Sequence, residues 1–248
     1  MAGHSKWANI KHRKAKQDQK RGKVWTKCSK AIIVAARAGG GDPDTNLSLR
    51  YAIDEAKYAN MPKDTIQRAI DKGAGAGGGE NFEAVSYEGF GPGGAALIID
   101  GLTDNKTRTV TDVRNAFKKY GGNLGTTGSV SFMFKTKGQI ILAGSHDENT
   151  IMEKALDAGA EDVQAPQGED GAWVIITEVS SFQQVKEAFE SGGIEIAEAA
   201  ITKIPNDQQL VGEEDARKLL ALIDALEDSD DIQKVYSNAD ISDEAALG

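Results

Sequence analysis

A helix and strand near the end of this 248-residue chain have no partners of their own, and that constrains the fold more than any other feature. From Gly138 to Ile204 the residues read as strand (139–143), helix (147–158), strand (161–165), strand (172–178), helix (181–191) and strand (194–204). A βαββαβ order closes into a ferredoxin-like split unit without outside help. The next two elements, a helix at 213–227 and a strand at 232–237, cannot bury their apolar faces alone. Upstream, strands at 82–90 and 95–102 flank the turn Gly91-Pro92-Gly93-Gly94, with a helix at 105–119 and a strand at 129–134. That ββαβ set lacks an αβ. The sequence therefore predicts one α+β unit interrupted by another.

The first third has a different period. Over residues 23–38, Val24, Cys28, Ala31, Ile32 and Ala35 fall on one helical arc, and Lys20, Lys23, Lys27, Lys30 and Arg37 on the next. Gly39-Gly40-Gly41 stops this helix, since glycine favours the left-handed turn that ends helices. A second helix carries Leu49, Ile53 and Ala56. A third opens at Met61-Pro62-Lys63-Asp64, where proline fits the first turn. Gly73 through Gly79 reads as a flexible linker. The expected architecture is α+β: a helical N-terminal domain followed by two ferredoxin-like α/β domains, one inserted into the other. The expected boundaries are 1–79, 80–137 plus 205–248, and 138–204.

Charge is as segregated as periodicity. Residues 1–37 hold eleven Lys and Arg against Asp18 alone, a net +10, whereas the whole chain is −9, leaving −19 on the rest. A smaller basic zone spans 101–137, and 138–204 is −10. A cationic end on an acidic body is the footprint of a polyanion-binding protein. The longest strongly apolar run, Ala31-Ile32-Ile33-Val34-Ala35-Ala36, is far shorter than the ~20 residues of a membrane span. The basic start lacks a secretory apolar core, so a cytoplasmic protein with no membrane partner is expected. One cysteine, Cys28, excludes an intrachain disulfide, and His4, His12 and His146 are too scattered for a metal cluster.

The arm MAGHSKWANIKHRKAKQDQKRGK interleaves cations with Trp7 and His12. Cations neutralise phosphates and release counterions, while an aromatic ring can stack on an unpaired base. Candidate nucleic-acid ligands are Lys6, Trp7, Lys11, His12, Arg13, Lys14, Lys16, Lys20, Arg21, Lys23, Lys27 and Lys30. Trp7 serves equally well as an anchor for the arm. In Thr103-Asp104-Asn105-Lys106-Thr107-Arg108-Thr109, a helix start offers N–H groups with Lys106 and Arg108 to a phosphate; a plain helix cap explains the same residues. The string GFGPGG is followed by a strand rather than the helix a phosphate loop needs, so no cofactor is expected. No His-x-x-x-His, Gly-x-Ser-x-Gly or paired-cysteine pattern occurs, and no catalytic or metal-binding residues are assigned.

Seven blocks in order, MAGHSKWANIKHRKAKQDQKRGK, GGGDPDTN, NMPKDTIQRAI, YEGFGPGG, TDNKTRTVTDVRNAFKKYGGNLGTTGSVSFMF, AGAEDV and ALEDSDDIQKVYSN, closely resemble the YebC/PmpR family. The resemblance covers nearly the whole chain. It implies a helical domain plus two ferredoxin-like domains, and a non-enzymatic role as a DNA-binding transcriptional regulator. Mitochondrial relatives, activators of cytochrome c oxidase subunit I translation, imply the alternative of a ribosomal or messenger RNA target. The acidic 138–204 segment is then suited to a protein partner.

Overall fold

A computed structural model describes residues 21–75, 81–166 and 171–242. Two compact units emerge. Among the described residues, one is made of residues 135–204, and the other combines residues 21–134 with the chain from 205 onward.

The discontinuous unit begins with three helices, α1 (Arg21–Gly39), α2 (Leu47–Tyr58) and α3 (Lys63–Ala74). Their apolar stripes meet in a core of Ile32, Ile33, Ala36, Leu49, Ile53, Met61, Ile66 and Ile70. Asn46 sets the α1–α2 turn. Its Oδ1 caps α2 by accepting the Leu49 N–H at 3.1 Å, and its Nδ2 donates to the Ala35 and Gly40 carbonyls, both at 2.8 Å. The chain reverses there through Gly40, at φ 90°. Gly73, expected in the linker, belongs instead to the last turn of α3. A Cβ on it would lie 2.5 Å from the Ile33 carbonyl oxygen, so helix packing rather than linker flexibility explains this glycine.

Strands β1 (Glu83–Phe90) and β2 (Ala96–Thr103) form a hairpin across a tight Pro92–Gly94 turn. Helix α4 (Lys106–Tyr120) follows, capped by Asn105 and ended by Gly121 at φ 82°. A short β3 (Asn123–Leu124) pairs back onto β1. The later segment adds β8 (Gln209–Leu210), α7 (Glu213–Glu227), β9 (Ile232–Ser237) and β10 (Ala239–Asp240). Sheet order is β3-β1-β2-β9, so the strand that is an orphan in the sequence pairs antiparallel with β2. Helices α4 and α7 bury Val113, Phe117, Leu219, Leu222 and Leu226 against Leu97, Ile99 and Val235. Each such side chain contributes about 1.5–3 kcal/mol through burial.

The other unit contains β4 (Phe134–Leu142), α5 (Glu148–Ala158), β5 (Asp162–Gln164), β6 (Trp173–Thr177), α6 (Phe182–Ser191) and β7 (Ile196–Pro205), in sheet order β5-β6-β4-β7. This is the ferredoxin-like arrangement. The fold class is therefore α+β, as the periodicities imply.

The expected strand at 129–134 is not one. Ser131–Met133 forms a 3-10 turn and β4 starts at Phe134. The cause is Glu88, 6% exposed on β1. Its Oε1 accepts the Gly128 N–H and its Oε2 accepts those of Val130 and Ser131, all at 2.8 Å. Amides that would have entered a ladder are spent on a carboxylate. Burial opposes ionisation of Glu88, but these N–H groups outweigh it and hold the carboxyl below its ordinary range. A depressed carboxyl contributes stability above its unfolded pKa and loses it as pH falls through the folded value. Glu88→Gln should destabilise the protein by about 1–3 kcal/mol in urea unfolding, because the amide NH2 would face backbone donors. An unchanged midpoint would show that the loop holds itself.

Candidate nucleic-acid interface

Of the candidate ligands, Lys6, Trp7, Lys11, His12, Arg13, Lys14, Lys16 and Lys20 lie outside the described residues, and Arg21 stands at the first position of α1. The rest can be placed. Lys23, Lys27 and Lys30 recur along one face of α1 and meet the C-terminal end of α7. Lys23 Nζ donates to the Asp228 carbonyl at 3.1 Å and lies 3.6 Å from its carboxylate. Lys27 Nζ donates to the Glu227 carbonyl at 2.6 Å. Lys30 Nζ donates to the Asp230 carbonyl at 2.9 Å and to Asp231 Oδ1 at 3.1 Å, and sits 5.0 Å from the Phe82 ring centre. A helix C-terminus presents unpaired carbonyls and the negative end of the helix dipole, so cations are favoured there. Burial pushes the Lys27 ammonium below its usual range, with Glu227 and Asp230 acting in the opposite sense.

Asp231 gathers the second basic zone onto the first. Its Oδ2 accepts from Arg108 at 2.6 Å, Thr109 Oγ1 at 2.9 Å and Thr103 Oγ1 at 3.2 Å, while Oδ1 takes Lys30. Burial disfavours the charge, but hydrogen bonds from Arg108, Lys30 and Thr109 outweigh it and hold the carboxyl at about 2. Arg108 also binds Asp104 at 2.7 Å, and Lys106 pairs with Glu83 at 2.5 Å. Asn105 Oδ1 caps α4 by accepting the Arg108 N–H at 3.0 Å. The α4 entrance is thus a cap beside an internal carboxylate. Lys30 and Arg108 share a site, whereas Lys106 does not join them.

Sequence pattern alone does not single out two exposed cations on α4, Arg114 and Lys118, as ligands. Among the described residues neither has a partner. Their signal is the spacing of four, which places both on one face of α4 away from Val113 and Phe117.

Elsewhere the chemistry is quiet. Among the described residues, no group of three or more His, Cys, Asp or Glu is placed to hold a metal ion. Burial pushes the Cys28 thiol up to about 11, with Glu55 adding to the effect, so it stays protonated at neutral pH. No described helix is long and apolar enough to cross a membrane.

Residues 5–76 match the TACO1/YebC protein N-terminal domain, and residues 82–239 match the TACO1/YebC second and third domain. A probable transcriptional regulatory protein of Bordetella pertussis is 55% identical over 99% of this chain and 100% of its own length. One from Burkholderia thailandensis is 52% identical over 98% and 100%. The crystal structure of a conserved hypothetical protein from Aquifex aeolicus superposes with a TM-score of 0.85 at 47% identity, covering 96% of this chain and 98% of that one. The names of the Bordetella and Burkholderia relatives describe regulators rather than enzymes, and the chain belongs to the TACO1/YebC family.

Proposed function

We propose that this protein is a non-enzymatic regulator of gene expression that binds the DNA backbone at its targets through its N-terminal arm. One observation carries the reading: the +10 of residues 1–37 against −19 on the rest of the chain. The names of its relatives support a role in transcription. Because Lys23, Lys27, Lys30, Lys106 and Arg108 already hold carbonyls or carboxylates of this chain, phosphate contact is assigned first to Lys6, Lys11, Arg13, Lys14, Lys16, Lys20 and Arg21. If about five or six of these meet phosphates, log affinity falls against log salt with a slope near −5 on duplex. A slope near zero would remove the backbone from the account.

A second reading, an RNA- or ribosome-directed translation factor, is favoured by the way α1 is used. Its lysine row is turned onto α7 rather than presented as a recognition surface. A duplex reader should discriminate its site from random DNA by roughly 4 kcal/mol or more. Crosslinking in cells, followed by sequencing of both DNA and RNA, separates the two. Enrichment at discrete promoters supports the first reading, and enrichment of ribosomal or messenger RNA alone replaces it with the second.

The −10 segment at 138–204 is assigned to a protein partner, since like charge repels phosphate. Neutralising Glu148, Asp157 and Glu187 to their amides should raise nucleic-acid affinity by less than about threefold. A large loss of affinity would place nucleic acid on this unit.

A further inference from the structure

The loop that comes after β3 is held unusually firmly for a surface segment. Besides the three amides bound by its carboxylate, Glu88 accepts the Gly125 N–H on its backbone carbonyl at 2.7 Å. From the other side, Asn206 donates its N–H to the Met133 carbonyl at 2.8 Å and its Nδ2 to the Phe132 carbonyl at 3.0 Å. Beneath, Val130 and Phe134 pack on Ala96 and Ile98. Between these anchors Phe132 points outward, with 73% of its surface exposed. Phe90, two residues beyond Glu88 on the same face of β1, is 37% exposed.

A loop whose successive N–H groups converge is usually read as an anion cradle. Here the cradle is filled by the chain's own carboxylate, so those amides are not open to a phosphate. What the loop offers outward is an aromatic ring and the hydroxyl-bearing, exposed Thr126, Thr127 and Ser131. The loop itself carries no charge that would repel a polyanion. From Asn123 to Phe134 there is no acidic residue. The nearest acid in sequence to the anchoring Asn206 is Asp207.

We propose that Phe132 is a stacking platform for an unpaired base of single-stranded nucleic acid, pre-set by the Glu88 clamp. Rigidity matters because a ring already fixed in its binding position loses little conformational freedom when a base lands on it. Stacking reads only the flat face of a base, so the site is tolerant of sequence and silent toward an undistorted duplex. The proposal rests on the reading that this protein binds nucleic acid, and it adds a second point of contact on a different part of the chain.

The test uses the full chain with a labelled 20-nucleotide oligouridylate and, separately, a labelled DNA duplex of the same length at moderate salt. Phe132→Ala should weaken binding to the single strand about 5- to 100-fold. It should change duplex binding less than about twofold, and Phe132→Trp should restore single-strand affinity. A parallel variant, Lys11→Glu with Lys14→Glu, tests the arm. If that arm variant loses binding while Phe132→Ala binds the oligonucleotide normally, the arm reading stands and the stacking proposal falls. Stacking is equally overturned if alanine weakens duplex and single strand alike, or if Phe132→Trp fails to rescue. If the unaltered protein binds neither probe, both readings fail together. Thermal unfolding of Phe132→Ala should match the parent, as expected for a ring so exposed.

Discussion

Replacing Asp231 with alanine should destabilise the protein by about 2–4 kcal/mol, because it strands Lys30, whose side chain is 14% exposed, together with two buried threonine hydroxyls. Asp231→Asn keeps the shape and part of the hydrogen bonding, and should recover roughly half of that loss. The pH dependence gives an independent check. A carboxyl held at about 2 in the folded protein and near 3.9 when unfolded contributes about 2.5 kcal/mol above pH 4. The contribution is fully present above the unfolded pKa and disappears as pH falls through 2. Urea unfolding between pH 6 and pH 2 should therefore show a steeper acid loss in the parent than in Asp231→Asn. Superimposable curves for the two would mean that the charge on Asp231 does not stabilise the fold.

Removing residues 1–20 should lower nucleic-acid affinity by about 100-fold or more at 0.1 M salt, since six cations leave with them. The helices should be unaffected, because the core of α1, α2 and α3 is built from Ile32 onward. Measurement of binding by anisotropy and of folding by circular dichroism separates the two effects. Tight binding by the truncated chain would transfer the site to the body of the protein, with Arg114 and Lys118 the first residues to change.

The helices and strands are legible because their periods are unambiguous. Residues 213–227 and 232–237 read from the sequence with the bounds that α7 and β9 have in the structure. That one α+β unit interrupts another is legible for a different reason, since an αβ pair without a partner must find one. Ser129–Phe134 misleads because Val130, Phe132 and Phe134 alternate as a strand does. Only Val130 and Phe134 are buried, and the bend that turns Phe132 out is imposed by Glu88, forty-odd residues earlier. The lysine row is legible as charge but not as contact. Lys23, Lys27 and Lys30 read as phosphate ligands because a cation alone does not reveal whether its anion is foreign or 200 residues away in the same chain. The acidic run Glu227-Asp228-Ser229-Asp230-Asp231 is the available clue.

The pairing of β2 with β9 also dictates an order of events at the ribosome. Thr103, at the end of β2, precedes its partner Asp231 by 128 residues. At about 5–20 residues per second, β2 waits on the order of 10 s for the strand that covers its edge. Throughout that interval, Leu97 and Ile99 lack the α7 side chains that bury them, and an open edge invites pairing with a neighbouring nascent chain. Residues 135–204 carry their own sheet and are complete before β9 exists. Synthesis thus finishes the inner unit while the outer one is still half-made, and ribosomes crowded on one message are where misassembly of this protein should begin.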